Sequence, residues 1–86
     1  MKCSLEISMY PLNASYEEPI IGFIKKLRSH PFIKVETNGM STQLFGDYDH
    51  IMRAVNQEMK ATFLTNDKVV FTLKMANSDL QEKPTF

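Results

Sequence analysis

With 86 residues, 43% of them hydrophobic and 23% charged, the chain can build one hydrophobic core and is too short for two. Its 10 Lys and Arg cancel 10 Asp and Glu. It therefore lacks the cationic excess with which nucleic-acid binders displace counterions from phosphates, which argues against a nucleic-acid partner. Cys3 stands alone, so it can close no intrachain disulfide and seed no metal cluster, as suits a reducing compartment. Lys2 and Glu6 sit where a signal peptide needs apolar residues, and no apolar stretch approaches membrane length. The expectation is a cytoplasmic protein with no membrane partner.

Residues 3 to 10 alternate Cys3, Leu5, Ile7 and Met9 with Ser4, Glu6, Ser8 and Tyr10, the period of a half-buried strand that Pro11 is expected to stop. Ser15 and Glu18 match a capping box ahead of a helix. The apolar stripe of that helix is Ile20, Ile21, Phe23, Ile24 and Leu27, with Lys25, Lys26 and Arg28 toward its C-terminal end. Beyond His30-Pro31, Ile33, Val35 and Thr37 alternate with Lys34, Glu36 and Asn38 in a second strand over 32 to 38. Asn38-Gly39 signals a tight hairpin in which both residues take positive φ. A third strand runs from Met40 to Phe45 and is broken by Gly46-Asp47. Asp47 is placed to cap a long helix carrying Tyr48, Ile51, Met52, Val55, Met59 and Phe63 on one stripe, closed by Thr65-Asn66-Asp67. The last strand spans Lys68 to Met75, with Val69, Phe71, Leu73 and Met75 on one face. Residues 1 to 76 form the domain, and the polar residues 77 to 86 are expected to be a loose tail.

The order β-α-β-β-α-β predicts an α+β, ferredoxin-like domain: a four-stranded antiparallel sheet in order 4-1-3-2 with two helices on one face. Leu5, Ile7, Ile33, Val35, Leu44, Phe71 and Leu73 are its predicted core. The opposite face, with Glu6, Ser8, Gln43, Phe45, Val70 and Thr72, is mixed in character, as suits pairing with another subunit or a ligand.

This topology gathers the end of the first strand, the hairpin and the start of the first helix at one rim of the sheet. Ser8, Tyr10, Asn13, Thr37, Asn38, Ser41 and Thr42 fall there beside Met40 and Tyr16, a set of neutral donors and acceptors with a ring that suits a flat polar heterocycle. The plainer explanation is that such residues cap strand ends and turns. Catalytic and metal constellations are missing. His30 and His50 are isolated and expected at the surface, and the glycines Gly22, Gly39 and Gly46 form no phosphate loop. Asp47, Asp49, Glu17 and Glu18 suit helix starts, and the six methionines suit core filling. The loop after the first strand, Pro-Leu-Asn-Ala-Ser, has no Arg for an acylphosphatase-type anion cradle. Only Tyr10 and Phe45 could stack RNA bases. No enzyme and no cofactor are expected.

Ser8-Met9-Tyr10-Pro11-Leu12, and Thr37 to Gly46 with its Ser41-Thr42 pair followed by Gly46, resemble the YkoF-like proteins over about residues 3 to 75. The resemblance implies non-catalytic binding of thiamine or its hydroxymethylpyrimidine moiety, and association of units through their sheets as a homodimer or homotetramer. It makes Ser8, Tyr10, Thr37, Ser41 and Thr42 candidate ligand contacts, with Asn38 standing where some relatives carry an acid. The competing reading is an assembly or regulatory module that docks through the open sheet face.

Overall fold

Alternation along the first strand sets the architecture, because every second side chain must leave water on one side only. The computed structural model describes residues Met1–Phe86, in the order β1 (Lys2–Pro11), α1 (Glu17–Arg28), β2 (Ile33–Thr37), β3 (Thr42–Asp47), α2 (Tyr48–Thr65) and β4 (Val69–Ala76). The strands form one antiparallel sheet in order β2-β3-β1-β4, with Leu5 opposite Leu44 and Met75, and Ile7 opposite Thr42 and Leu73. This is the predicted ferredoxin-like α+β fold.

Cys3, Leu5, Ile7 and Met9 of β1 meet Phe23 and Leu27 of α1, Leu44 of β3, and Ile51, Ala54 and Val55 of α2 in one buried cluster. Each of the fully buried Ile7, Leu27, Leu44 and Ile51 contributes about 1.5–3 kcal/mol of transfer free energy. Ile33, Val35 and Phe71 pack at the cluster's edge.

Several expectations need correction. Leu73 is 45% exposed and not core, because the helix layer rests on β1, β2 and β3. It meets β4 at Phe71, whose ring touches those of Phe23 and Phe63. Ile21 and Phe63 also stay half exposed at the shoulders of their helices. The Ser15/Glu18 capping box does not form: α1 starts one residue later, with Tyr16 as N-cap and no side-chain bond. Its third residue is then Pro19, which has no N–H for a cap to satisfy. Asp47 is the N-cap of α2 by position but makes no capping bond, and its carboxylate lies 3.6 Å from the terminal amine of Met1. Pro11 does not stop β1 but closes it, paired with Val69 at a point where β3 has already ended.

The hairpin also differs from the expected primed turn. Neither Asn38 nor Gly39 has positive φ. The amide of Asn38 donates to the Ser41 carbonyl at 3.0 Å, so Gly39 and Met40 occupy the bend. Asn38 Oδ1 accepts from the amides of Met40 at 2.8 Å and Ser41 at 3.1 Å, doing the work of a backbone carbonyl, and no left-handed residue is required.

Residues 77 to 86 contain no helix or strand, yet their first part is fastened to the sheet's outward face. Ser4 Oγ donates to the Ser78 carbonyl at 2.8 Å and accepts from the Leu80 amide at 2.9 Å. Ser4 and its cross-strand neighbour Phe45 are thereby less than a tenth exposed on a face otherwise open to solvent. Ser4→Ala is expected to raise the hydrogen-exchange rate of the Leu80 amide while leaving that of β1 unchanged. Equal protection of Leu80 in both proteins would show that the tail is held by something else.

Candidate functional site

The register decides what each polar residue can reach. Thr42 pairs with Ile7 and Thr37 with Thr42, so both threonines project to the helix side of the sheet. Ser8, Tyr10, Asn38 and Ser41 have the opposite parity and project to the outward side, with Met40 at the tip between them. β1 runs past the last residue paired with β3, so from Ser8 onward one flank of it faces an opening and not a neighbouring strand.

That opening is a cleft of about 210 Å³. All seven candidates, Ser8, Tyr10, Thr37, Asn38, Met40, Ser41 and Thr42, line it, reaching it from both sides of the sheet's end. Its apolar wall is Ile7, Met9 and the α1 residues Ile20, Phe23 and Ile24. These wall residues belong to the same stripes that build the core, so alternation marks them as buried without telling wall from filling. Asn13 and Tyr16 do not line the cleft.

Several of the polar groups are partly engaged. Thr37 Oγ1 and Thr42 Oγ1 lie 3.1 Å apart, so one hydroxyl donates to the other and the second proton remains free. Ser8 Oγ reaches the Met40 carbonyl only at 3.5 Å, a weak bond a guest can replace. Asn38 Oδ1 is occupied by the turn, leaving its NH₂ as the group able to address a ligand. Tyr10 is half exposed at the lip.

Ser41 is tied to a carboxylate outside the cleft. Its Oγ donates to Glu6 Oε2 at 2.8 Å, and Lys74 Nζ lies 3.4 Å from Glu6 Oε1. The Ser41 hydrogen bond first, and then the Lys74 charge, hold the Glu6 carboxyl below the usual carboxylate range. A lowered folded-state value means that this contribution to stability is complete above the unfolded-state pKa and is lost as pH falls through the folded one. Protection of the hairpin amides, taken as exchange relative to the intrinsic rate at each pH, is therefore expected to fall on acidification below the ordinary carboxylate range. Glu6→Gln should remove that pH dependence, and a profile unchanged by the substitution would assign it to another group.

A second polar feature escaped sequence reasoning. His30 is not an isolated surface residue: its Nε2 lies 2.6 Å from Glu58 Oε2, and the two side chains are 14% and 7% exposed. The available signal was Glu58 itself, a charge falling on the buried stripe of α2 with Ile51, Val55 and Thr62. The other histidine, His50, stacks on Phe32 with ring centres 4.9 Å apart. No group of His, Cys, Asp and Glu side chains has metal-site geometry, and no helix is long and apolar enough to cross a membrane.

The fold and the cleft define a ferredoxin-like α+β domain with a ring-sized, uncharged polar opening at one end of its sheet. No protein-family model matches the chain. The UPF0045 protein MJ1052 of Methanocaldococcus jannaschii is 34% identical over 76 residues, which cover 86% of this chain and 75% of that protein. The chain belongs to the UPF0045 family. A crystal structure of the same archaeal protein gives a TM-score of 0.78 at 31% identity, covering 98% of this chain and 88% of that one. The Thermotoga maritima protein TM0486, whose name places it provisionally in thiamine biosynthesis or salvage, gives 0.81 at 21% identity, covering 91% and 85%. A DUF77 domain from Bacillus cereus gives 0.67 at 14% identity, covering 99% and 84%. At such identities the last two similarities show the fold alone.

Proposed function

We propose that this protein binds a thiamine-related compound through its pyrimidine ring and carries or delivers it without chemical change. The observation that carries this reading is the convergence of six hydroxyl- or amide-bearing residues, with Met40 beside them, from β1, β2, β3 and their hairpin on one cleft of about 210 Å³. The volume supports a single ring: it equals about seven waters at ~30 Å³ each and falls short of the ~300–1,000 Å³ of pockets for drug-sized ligands. An aminopyrimidine offers ring acceptors and an amino donor, which the free hydroxyl proton of the Thr37/Thr42 pair, the Asn38 NH₂ and the Ser8 hydroxyl can match. The Thermotoga maritima protein that shares the fold is named provisionally for thiamine biosynthesis or salvage, the same field of ligands.

The cleft is lined by no acid and no base. A thiazolium cation finds no compensating charge there, and its ring would extend beyond the cleft toward solvent. Hydroxymethylpyrimidine is accordingly the preferred ligand, with thiamine held by its pyrimidine end alone. We place this binder in the cytoplasm as a homodimer or homotetramer associating through the sheet's outward face, where Tyr10 and Val70 leave 50% and 46% of their surface in solvent.

Isothermal titration tests the proposal. Hydroxymethylpyrimidine is expected to bind about tenfold tighter than thiamine, a difference of ~1.4 kcal/mol. An analogue with a carbonyl in place of the amino group should bind more weakly than either, because it leaves donors and acceptors mismatched. Thr42→Val combined with Ser8→Ala should weaken binding by about 1–3 kcal/mol, two hydrogen bonds' worth, with only a small change in Tm. Absence of heat with both ligands at millimolar concentration would abandon the ligand reading for the assembly module.

A further inference from the structure

Asn38 is the one asparagine of this chain that is followed by glycine; Asn13, Asn56, Asn66 and Asn77 precede Ala, Gln, Asp and Ser. The hairpin places three elements of a reaction around its side chain. The nucleophile is the Gly39 backbone nitrogen, which makes no hydrogen bond within the protein. The electrophile is Asn38 Cγ. The amides of Met40 and Ser41 point at Asn38 Oδ1 from 2.8 and 3.1 Å, on the atom where negative charge gathers when a nucleophile adds to that carbon. Two backbone donors on such an oxygen have the geometry of an oxyanion hole. Both residues are exposed, so water and hydroxide reach the site.

We propose that Asn38-Gly39 is a self-modification site that converts the neutral rim of the cleft into an acidic one. The Gly39 nitrogen gives its proton to solvent base and bonds to Asn38 Cγ; the NH₂ group takes a proton back from solvent, the Cγ–N bond to it breaks and ammonia leaves, closing a five-membered imide. Water adds to one of the two imide carbonyls and the ring C–N bond at that carbonyl opens. The net reaction is asparagine plus water giving an acid plus ammonia, with no change of oxidation state. Opening at the side-chain carbonyl gives aspartate, whose carboxylate accepts the same two amide bonds and keeps the turn. Opening at the main-chain carbonyl gives isoaspartate, which inserts a methylene into the backbone and pulls Ser41 away from Glu6.

Either product puts a negative charge on a cleft whose lining has none. Resting on the ligand reading above, the aspartate form should turn the preference away from the neutral pyrimidine and toward the cationic thiamine. Age or alkaline exposure of the protein would then set which ligand it favours.

The test begins without any ligand. The purified chain is incubated at physiological temperature and mildly alkaline pH, and peptide mass mapping with isoaspartate detection follows each asparagine, natively and in denaturant. Conversion is expected at Asn38 alone, at least as fast in the folded chain as in the unfolded one. Gly39→Ala, whose added Cβ meets nothing within 4 Å, should fold normally and react about tenfold more slowly, because the methyl group hinders the attacking nitrogen. Slower reaction in the folded chain than in denaturant, or equal rates at Asn38 and another asparagine, would overturn the proposal. A separate titration of Asn38→Asp with thiamine and hydroxymethylpyrimidine reads the consequence. A narrowed or reversed preference supports the switch, and an unchanged one sinks the switch while the modification itself stands on the mass data. If Asn38 reacts as expected but neither protein binds either ligand, the failure belongs to the ligand reading alone.

Discussion

His30→Ala is expected to lower the free energy of unfolding by about 3–5 kcal/mol, a large part of the ~5–15 kcal/mol that holds a small domain together. The loss comes less from the missing bond than from what stays behind. Glu58 sits on the buried stripe of α2 with its side chain 7% exposed, and without the imidazole its carboxylate would be a near-buried charge with no partner. The same pair also closes the fold at a distance, joining the segment that follows α1 to the middle of α2 across 28 residues of sequence. Chemical denaturation of the single variants and a double variant separates the two contributions. Glu58→Gln, which can still accept from Nε2, should lose less than His30→Ala. His30→Leu with Glu58→Leu should recover most of the loss, because apolar replacement of a whole buried pair removes the unpaired charge. If His30→Ala unfolds within about 1 kcal/mol of the parent, then water reaches Glu58 and the pair is only a surface contact. His50, stacked on the exposed Phe32, supplies the contrast: His50→Ala should stay within about 1 kcal/mol.

How far the sequence foretold this molecule depended on whether a feature is local. The alternation of Cys3, Leu5, Ile7 and Met9 is a property of neighbouring residues, and the strand, its inward face and the order of elements followed from it. The rim was legible for the same reason: strand parity and topology brought Ser8, Tyr10, Thr37, Asn38, Met40, Ser41 and Thr42 to one end of the sheet, and all seven line the cleft there. That Thr37 and Thr42 enter it from the helix side and Ser8 and Ser41 from the other follows from the same parity. What stayed hidden depends on packing between distant elements. Leu73 has the pattern of a core residue but lies where the helices do not reach. The tail looks unattached until Ser4, 74 residues before Ser78 in the chain, is found holding it. The hairpin misled in a different way: Asn-Gly has two solutions, positive φ at both positions or a side-chain oxygen standing in for a carbonyl, and only coordinates distinguish them.

Gly46 joins the two halves of the structure, and its replacement should be the most damaging change at any glycine. It lies in β3 between Ile33 of β2 and Cys3 of β1, so its backbone is enclosed by a strand on either side. Its φ of +155° belongs to a region that side chains avoid, which alone sets a penalty of about 1–3 kcal/mol for any other residue. An added Cβ would also stand 2.9 Å from the Phe32 carbonyl oxygen, a backbone atom that cannot swing aside. Phe32 is itself at φ 69°, so the chain entering β2 is already in an uncommon conformation, and moving it would drag Ile33 off the core. Gly46→Ala is therefore expected to destabilise the domain by about 2–4 kcal/mol, lowering Tm by roughly 4–8 °C for each kcal/mol. Gly22→Ala is the matched control, since a Cβ there meets nothing within 4 Å on a helix. It should instead stabilise by about 0.5–1 kcal/mol. Thermal and urea unfolding of the two variants should move in opposite directions, and a Gly46→Ala protein as stable as the parent would mean that β2 can shift without disturbing Ile33. Because the hairpin after β2 carries Asn38, Met40 and Ser41, a shift of that strand should also reach the cleft. The Gly46→Ala protein should then lose affinity for hydroxymethylpyrimidine although its glycine lies at the opposite end of the strand pair.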